Sequence, residues 1–134
     1  MKAFFSWLAI TLAAFGGLGG GYHLALQGNP HRVPVVVDSS FAMKPDWSRI
    51  PRVLDRIDNE RYAQFALATE KGPVHGYGSR LDAGRLTPYA PRDFSRLDSL
   101  ENTPELADAD EYILVTNAPA GETGGLGGWT IIRP

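Results

Sequence analysis

The chain contains no cysteine. That excludes disulfides, thiolate metal sites, a cysteine nucleophile and lipid attachment through an N-terminal cysteine. It also lacks charge over a long opening stretch: no Asp, Glu, Lys or Arg occurs between Lys2 and Arg32. No basic block exists anywhere. The 13 Lys and Arg residues are interleaved with 15 Asp and Glu residues for a net charge of −2, so nucleic acid is not an expected partner. Histidine is scarce; His23, His31 and His75 lie far apart and show no metal-ligand spacing. The glycine-rich stretch 121–128 has no Gly-Lys-Ser/Thr sequence and reads as a loop rather than a phosphate cradle. There is no internal repeat.

The uncharged opening is also apolar. Met1-Lys2 forms a minimal positive start, and residues 4–26 are long enough to cross a bilayer, which takes about 20 residues. Two readings are open. The segment is an uncleaved anchor with Trp7 and Tyr22-His23 near the interfaces, or a signal peptide cleaved near Gly19-x-Gly21. The continuation through Leu24-Ala25-Leu26 favours the anchor. Gly16 and Gly20, with Gly17 and Gly21, repeat the small-xxx-small spacing that lets a second membrane helix approach closely. The expected organisation is an anchor or signal segment at 1–27, a polar linker at 28–32 and one α/β domain at 33–134. The expected location is the inner membrane, as a single pass with the C-terminal domain in the periplasm or outside the cell. Cleavage would leave it secreted.

Roughly 105 residues remain for the domain, enough for one modest core. Residues 33–37 (Val-Pro-Val-Val-Val) are apolar on both faces, as in a central parallel strand. Ile50, Val53, Leu54 and Ile57 recur with helical spacing behind a Ser48 cap, with Pro51 in the first turn. Residues 62–69 and 74–78 read as strands joined by the Glu70-Lys71-Gly72-Pro73 turn, the second weakened to an edge by its glycines. A loop at 81–90 leads to a short helix at 92–100. Strands follow at 112–116 and 129–133, separated by the glycine-rich loop 117–128. Strands separated by helices predict a small, mostly parallel sheet with one antiparallel hairpin edge and flanking helices.

Ligands of such sheets bind beyond the carboxyl ends of the central strands. Two loops lie there: Asp38-Ser39-Ser40-Phe41-Ala42-Met43, and Thr116-Asn117-Ala118-Pro119. The first, behind Val35-Val36-Val37, resembles the opening of a von Willebrand factor type A (vWA) domain, an apolar strand followed by Asp-x-Ser-x-Ser. Ile113-Leu114-Val115-Thr116-Asn117 is similar to that family's later strand ending in Thr-Asp-Gly. The resemblance spans 33–134 and covers the first half of a family domain, so a truncated vWA-like or Rossmann-like unit is expected. It implies a divalent cation, usually Mg2+, held by Asp38, Ser40 and Thr87, with Ser39 and Asn117 nearby. Two departures thin that ligand set. Ala42 stands where a second Ser belongs, and Asn117 where a second Asp belongs. The expectation is therefore a degenerate metal-adhesion-type site with no cofactor, Mg2+ being the one candidate. The alternative is that Asp38 satisfies loop N–H groups without any ion.

Two functions follow. One is a non-enzymatic, membrane-anchored interaction or scaffold module, whose partners are the membrane and another protein or membrane-protein subunit. The other is a small exported hydrolase or phosphatase-like enzyme using Asp38. No histidine is placed by any motif to activate Ser39 or Ser40 as a nucleophile.

Overall fold

The structure, a computed structural model, describes residues 1–134. It divides into two compact units, residues Met1–Pro30 and His31–Pro134.

The first unit is one α-helix, α1 (Lys2–Gly28), of 27 residues. At 1.5 Å per residue it extends about 40 Å, longer than a bilayer's hydrocarbon core of about 30 Å. None of its residues is buried, and Phe4, Phe5, Trp7, Ile10, Leu12, Phe15 and Leu18 all stand exposed. It is long and apolar enough to cross a membrane or to serve as a signal anchor. Its serine and threonine hydroxyls are satisfied within the helix: Ser6 Oγ donates to the Lys2 carbonyl at 3.1 Å and Thr11 Oγ1 to the Trp7 carbonyl at 2.9 Å. That is what hydroxyls in an apolar surrounding require. A Cβ added at Gly16, Gly17, Gly20 or Gly21 would meet nothing, so the glycine strip is bare.

The second unit is a five-stranded sheet between two layers. Its strands are β1 (His31–Val37), β2 (Ala63–Thr69), β3 (Gly72–Gly78), β4 (Tyr112–Val115) and β5 (Trp129–Ile132), in the order β3-β2-β1-β4-β5. β1 pairs in parallel with β2 and β4, and β4 with β5, while β2 and β3 form the antiparallel hairpin. β1 is central because its side chains find apolar cover on both faces. Val33, Val35 and Val37 join Phe65, Leu67 and Val115 beneath Met43, Ile50, Val53 and Leu54. Val36 points the other way and joins Ala66, Ala68 and Leu114 against Leu97, Leu100 and Leu106. This is the period-two alternation of a strand buried on both sides. Pro34 can sit in it because the β1–β4 ladder begins only at Val35.

The first covering layer differs from expectation at its start. In place of a helix capped by Ser48, a 3-10 helix (Phe41–Arg49) runs into α2 (Ile50–Ile57). A proline ring clashes with the carbonyl four residues back, so the α-helix starts with Pro51 in its first turn. The other layer departs further. The helix expected over 92–100 shrinks to α3 (Leu97–Leu100), followed by a 3-10 turn (Pro104–Leu106). Asp93 Oδ1 instead accepts the Ser95 amide at 2.9 Å, a local turn that competes with helix, and Arg92 is drawn to another partner. The loop 117–128 contains one helical turn, α4 (Ala120–Thr123). The connection between β3 and α3 exceeds the roughly 12–15 residues beyond which irregular loops are uncommon. It is anchored by buried Leu81, whose amide donates to Asp58 Oδ2 at 2.9 Å.

Candidate functional site

The carboxyl ends of the parallel strands converge on Asp38. The chain leaves β1 for β2 on one side and later reaches β4 on the other, so β1 and β4 flank the point where strand order reverses. In open α/β sheets that crevice is where ligands sit. Here it is filled from within. Asp38 is fully buried. Its Oδ1 accepts the Ser40 amide at 3.0 Å, as the turn-capping alternative expects. Its Oδ2 accepts the Thr116 hydroxyl at 2.6 Å and Arg92 Nε at 2.8 Å. Burial by itself would raise the Asp38 pKa. Hydrogen bonds from Thr116, the Ser40 amide and Arg92, with the Ser40 hydroxyl close by, outweigh it, and the carboxyl is held below its ordinary range.

Arg92 reaches further. Its Nη1 lies 3.2 Å from Glu122 Oε2, and its Nη2 donates to Asn117 Oδ1. Asn117 passes the contact on, donating through Nδ2 to the Ala42 carbonyl and to Asp46 Oδ2, each at 2.8 Å. One guanidinium thus ties the loop after β1, the loop after β4 and α4. The backbone before Arg92 is fastened to the same loop. The Tyr89 amide donates to the Ser39 carbonyl at 2.7 Å, and the Phe41 amide to the Ala90 carbonyl at 2.9 Å. Ala90 between them adopts φ +68°, a left-handed conformation that costs an L-residue roughly 1–2 kcal/mol.

A second network lies alongside. Val37 pairs with Thr69 in register, which sets Glu70 beside the Asp38-Ser39 step. Glu70 is buried; its Oε2 accepts the Ser39 amide at 2.8 Å and the Ser39 hydroxyl at 3.1 Å. Lys71 pairs with Glu70 and donates to Ser39 Oγ at 2.8 Å, with its ammonium 4.4 Å from the Tyr89 ring centroid. A serine and a lysine at this distance resemble a nucleophile and its base. Ser39 is fully buried, however, and its hydroxyl already serves Glu70, so it is a satisfied structural group. A cavity of about 300 Å3 opens next to it, lined by Glu70, Lys71, Ala90, Pro91, Asp93 and Arg96. Two acids and two cations line it, leaving no net charge to select an ion.

The ligand set expected for Mg2+ comes together only in part. Asp38 and Ser40 are adjacent, and Asn117 joins them through Arg92. Ser40 Oγ is buried and lies near enough to Asp38 to favour its anion, yet makes no hydrogen bond of standard geometry. Thr87 is exposed and makes none of these bonds. The hydroxyl on Asp38 is that of Thr116. The residues as they stand do not fit Mg2+, which demands a near-octahedral oxygen shell at about 2.0–2.1 Å. Asp38 is the one carboxylate at the centre, both its oxygens accept hydrogen bonds, and a guanidinium already supplies positive charge there. No group of three or more His, Asp or Glu side chains is arranged to hold a metal ion.

The sequence places Thr116 in a strand-end loop but does not single it out as a partner of Asp38, and it gives no site role to Arg92, Glu70 or Lys71. The pattern puts Arg92 in a helix and Glu70-Lys71 in a turn. The available signal was positional: Glu70 directly follows an apolar strand, as Asp38 does.

No family model matches this chain, nor does any curated protein or solved structure.

Proposed function

We propose that this protein is a membrane-anchored, extracytoplasmic interaction module, built on a vWA-like domain whose metal-adhesion-type site is degenerate. One observation carries the proposal. Within residues His31–Pro134, the exposed large apolar side chains are Phe41, Val74 and Tyr89, and two of these three stand on the strands of backbone that cross the Asp38 site. Phe41 and Tyr89 are each 53% exposed, and Lys44 lies over the first ring as Lys71 does over the second. Aromatic side chains presented by a rigid loop frame supply binding area at low entropic cost. The strand order with its antiparallel edge, and the Asp38-x-Ser40 turn at the central strand's end, support the vWA-like part. The apolar α1 supports a single-pass anchor in the inner membrane, with the domain on the far side.

A hydrolase would need an Asp38 carboxylate that substrate can reach, and Asp38 is fully buried with both oxygens engaged. The test is photo-crosslinking in intact membranes, with the reactive group placed at position 89, at position 41 or, as a control, at Val74. A discrete adduct from positions 41 and 89 is expected, the one from position 89 being lost on Phe41→Ser and the one from position 41 on Tyr89→Ser. Adducts from Val74 alone, or none from any position, would reject this face as the contact.

A further inference from the structure

We infer that Arg92 is the resident cation of the strand-end crevice, a built-in guanidinium standing where the family resemblance would put a divalent ion. This inference rests on the geometry around Asp38 and holds whether or not the aromatic face contacts a partner.

The argument begins with the crevice's need for positive charge. Asp38 is fully buried, and a buried carboxylate is stable only when paired and hydrogen-bonded. Arg92, itself 14% exposed at the side chain, supplies the pair at 2.8 Å. Its other two nitrogens are also used, on Glu122 and Asn117, so each arm of the planar fork has an oxygen to meet. A lysine, with one point charge, could not reach three acceptors on separate loops in this way. The chain also invests in delivering this residue. Ala90 takes a left-handed φ two positions earlier, and the hydrogen bonds at Tyr89 and Ala90 hold the backbone against the Ser39–Phe41 turn.

A divalent ion does the same work in a different way. It would recruit the carboxylate, the neighbouring hydroxyl and the amide oxygen of the facing loop into one oxygen shell. Those atoms are Asp38 Oδ2, Ser40 Oγ and Asn117 Oδ1, of which Arg92 already holds the first and third. Ser40 Oγ is left buried without a hydrogen bond, the atom that a guanidinium on this side does not reach. Guanidinium and metal ion are mutually exclusive, because both need Asp38 Oδ2 and each repels the other. The loops of this face are therefore fixed in one arrangement by the chain itself, without an ion from solution.

The test uses the full chain in detergent micelles. In the wild type, Mg2+ at about 10 mM is expected to leave the melting temperature unchanged, since a ligand stabilises only what it binds. Mn2+ is expected to broaden no amide signals of Asp38–Ser40 or Thr116–Asn117 beyond the general solvent effect. A rise in melting temperature with Mg2+, or selective broadening by Mn2+, would overturn the inference, and neither measurement depends on a variant folding. Arg92→Ala is expected to melt lower and to recover at least half the loss with methylguanidinium at about 10 mM. Arg92→Lys is expected to melt between Arg92→Ala and wild type. A variant melting like wild type would show that Arg92 is not the cation on which the site depends. Recovery of Arg92→Ala by Mg2+ but not by methylguanidinium would show that the crevice is built for a metal.

Discussion

Replacing Asp38 by Asn removes the charge and keeps the shape, so it isolates the ion pair from packing. The variant leaves Arg92 largely buried with a neutral partner. It also puts an amide donor where Asp38 accepted from Thr116, Arg92 and Ser40. Removing one member of a buried pair costs about 3–5 kcal/mol, because the other charge stays behind. Glu122, half exposed, and Asn117 still contact the guanidinium, which places the expected loss at the low end, about 3 kcal/mol. For a domain near 100 residues each kcal/mol moves the melting temperature by about 4–8 °C, so a drop of about 12–24 °C is expected at neutral pH. Near-ultraviolet circular dichroism is the assay, since the α1 helix dominates far-ultraviolet signals. The pH dependence gives a second reading of the same residue. Hydrogen bonding holds the folded Asp38 carboxyl below the ordinary carboxylate range, so as pH falls through that range the unfolded chain binds more protons. The contribution of Asp38 is complete above the unfolded value and is lost as pH falls through the folded one. Asp38→Asn should therefore flatten the acid side of the stability profile. A drop below about 4 °C at neutral pH, with an unchanged acid limb, would refute the reasoning.

The remaining expectations are shorter. Ala90→Gly relieves the left-handed φ of +68° and should stabilise the domain by about 0.5–1 kcal/mol after glycine's own entropic cost, measured by denaturant midpoint at unchanged slope. Leu114→Ala, at a fully buried position in the second core cluster, should cost about 2–5 kcal/mol in the same assay. The full chain should stay with membranes through alkaline carbonate extraction, and a chain lacking residues 1–30 should not. Release of the full chain would contradict a retained anchor.

The sheet was legible because its strands announce themselves. Val33 to Val37 and Tyr112 to Val115 are short apolar runs ended by polar residues, and the glycines of 72–78 mark an edge. Asp38 was legible for the same reason, as the first polar residue after a central strand. Its true partners were not. Arg92 lies 54 positions along the chain, at the start of a segment that reads as a helix, and nothing local distinguishes it from a surface arginine. Glu70 looked like a turn residue, and only the parallel register that sets Val37 against Thr69 brings it to Ser39. The family resemblance points to Thr87, whereas the hydroxyl that reaches Asp38 belongs to Thr116, directly after the strand β4 that pairs with β1. Local pattern thus located the carboxylate; the groups that close its site depend on tertiary pairing.

The closed site is tested most directly by a double-mutant cycle between Asp38 and Arg92, using Asp38→Asn, Arg92→Gln and the double variant. If the guanidinium is the cation this carboxylate was built around, the coupling energy should be at least about 2 kcal/mol, within the range seen for residues sharing one network. Coupling below about 0.5 kcal/mol, the level of independent sites, would contradict it.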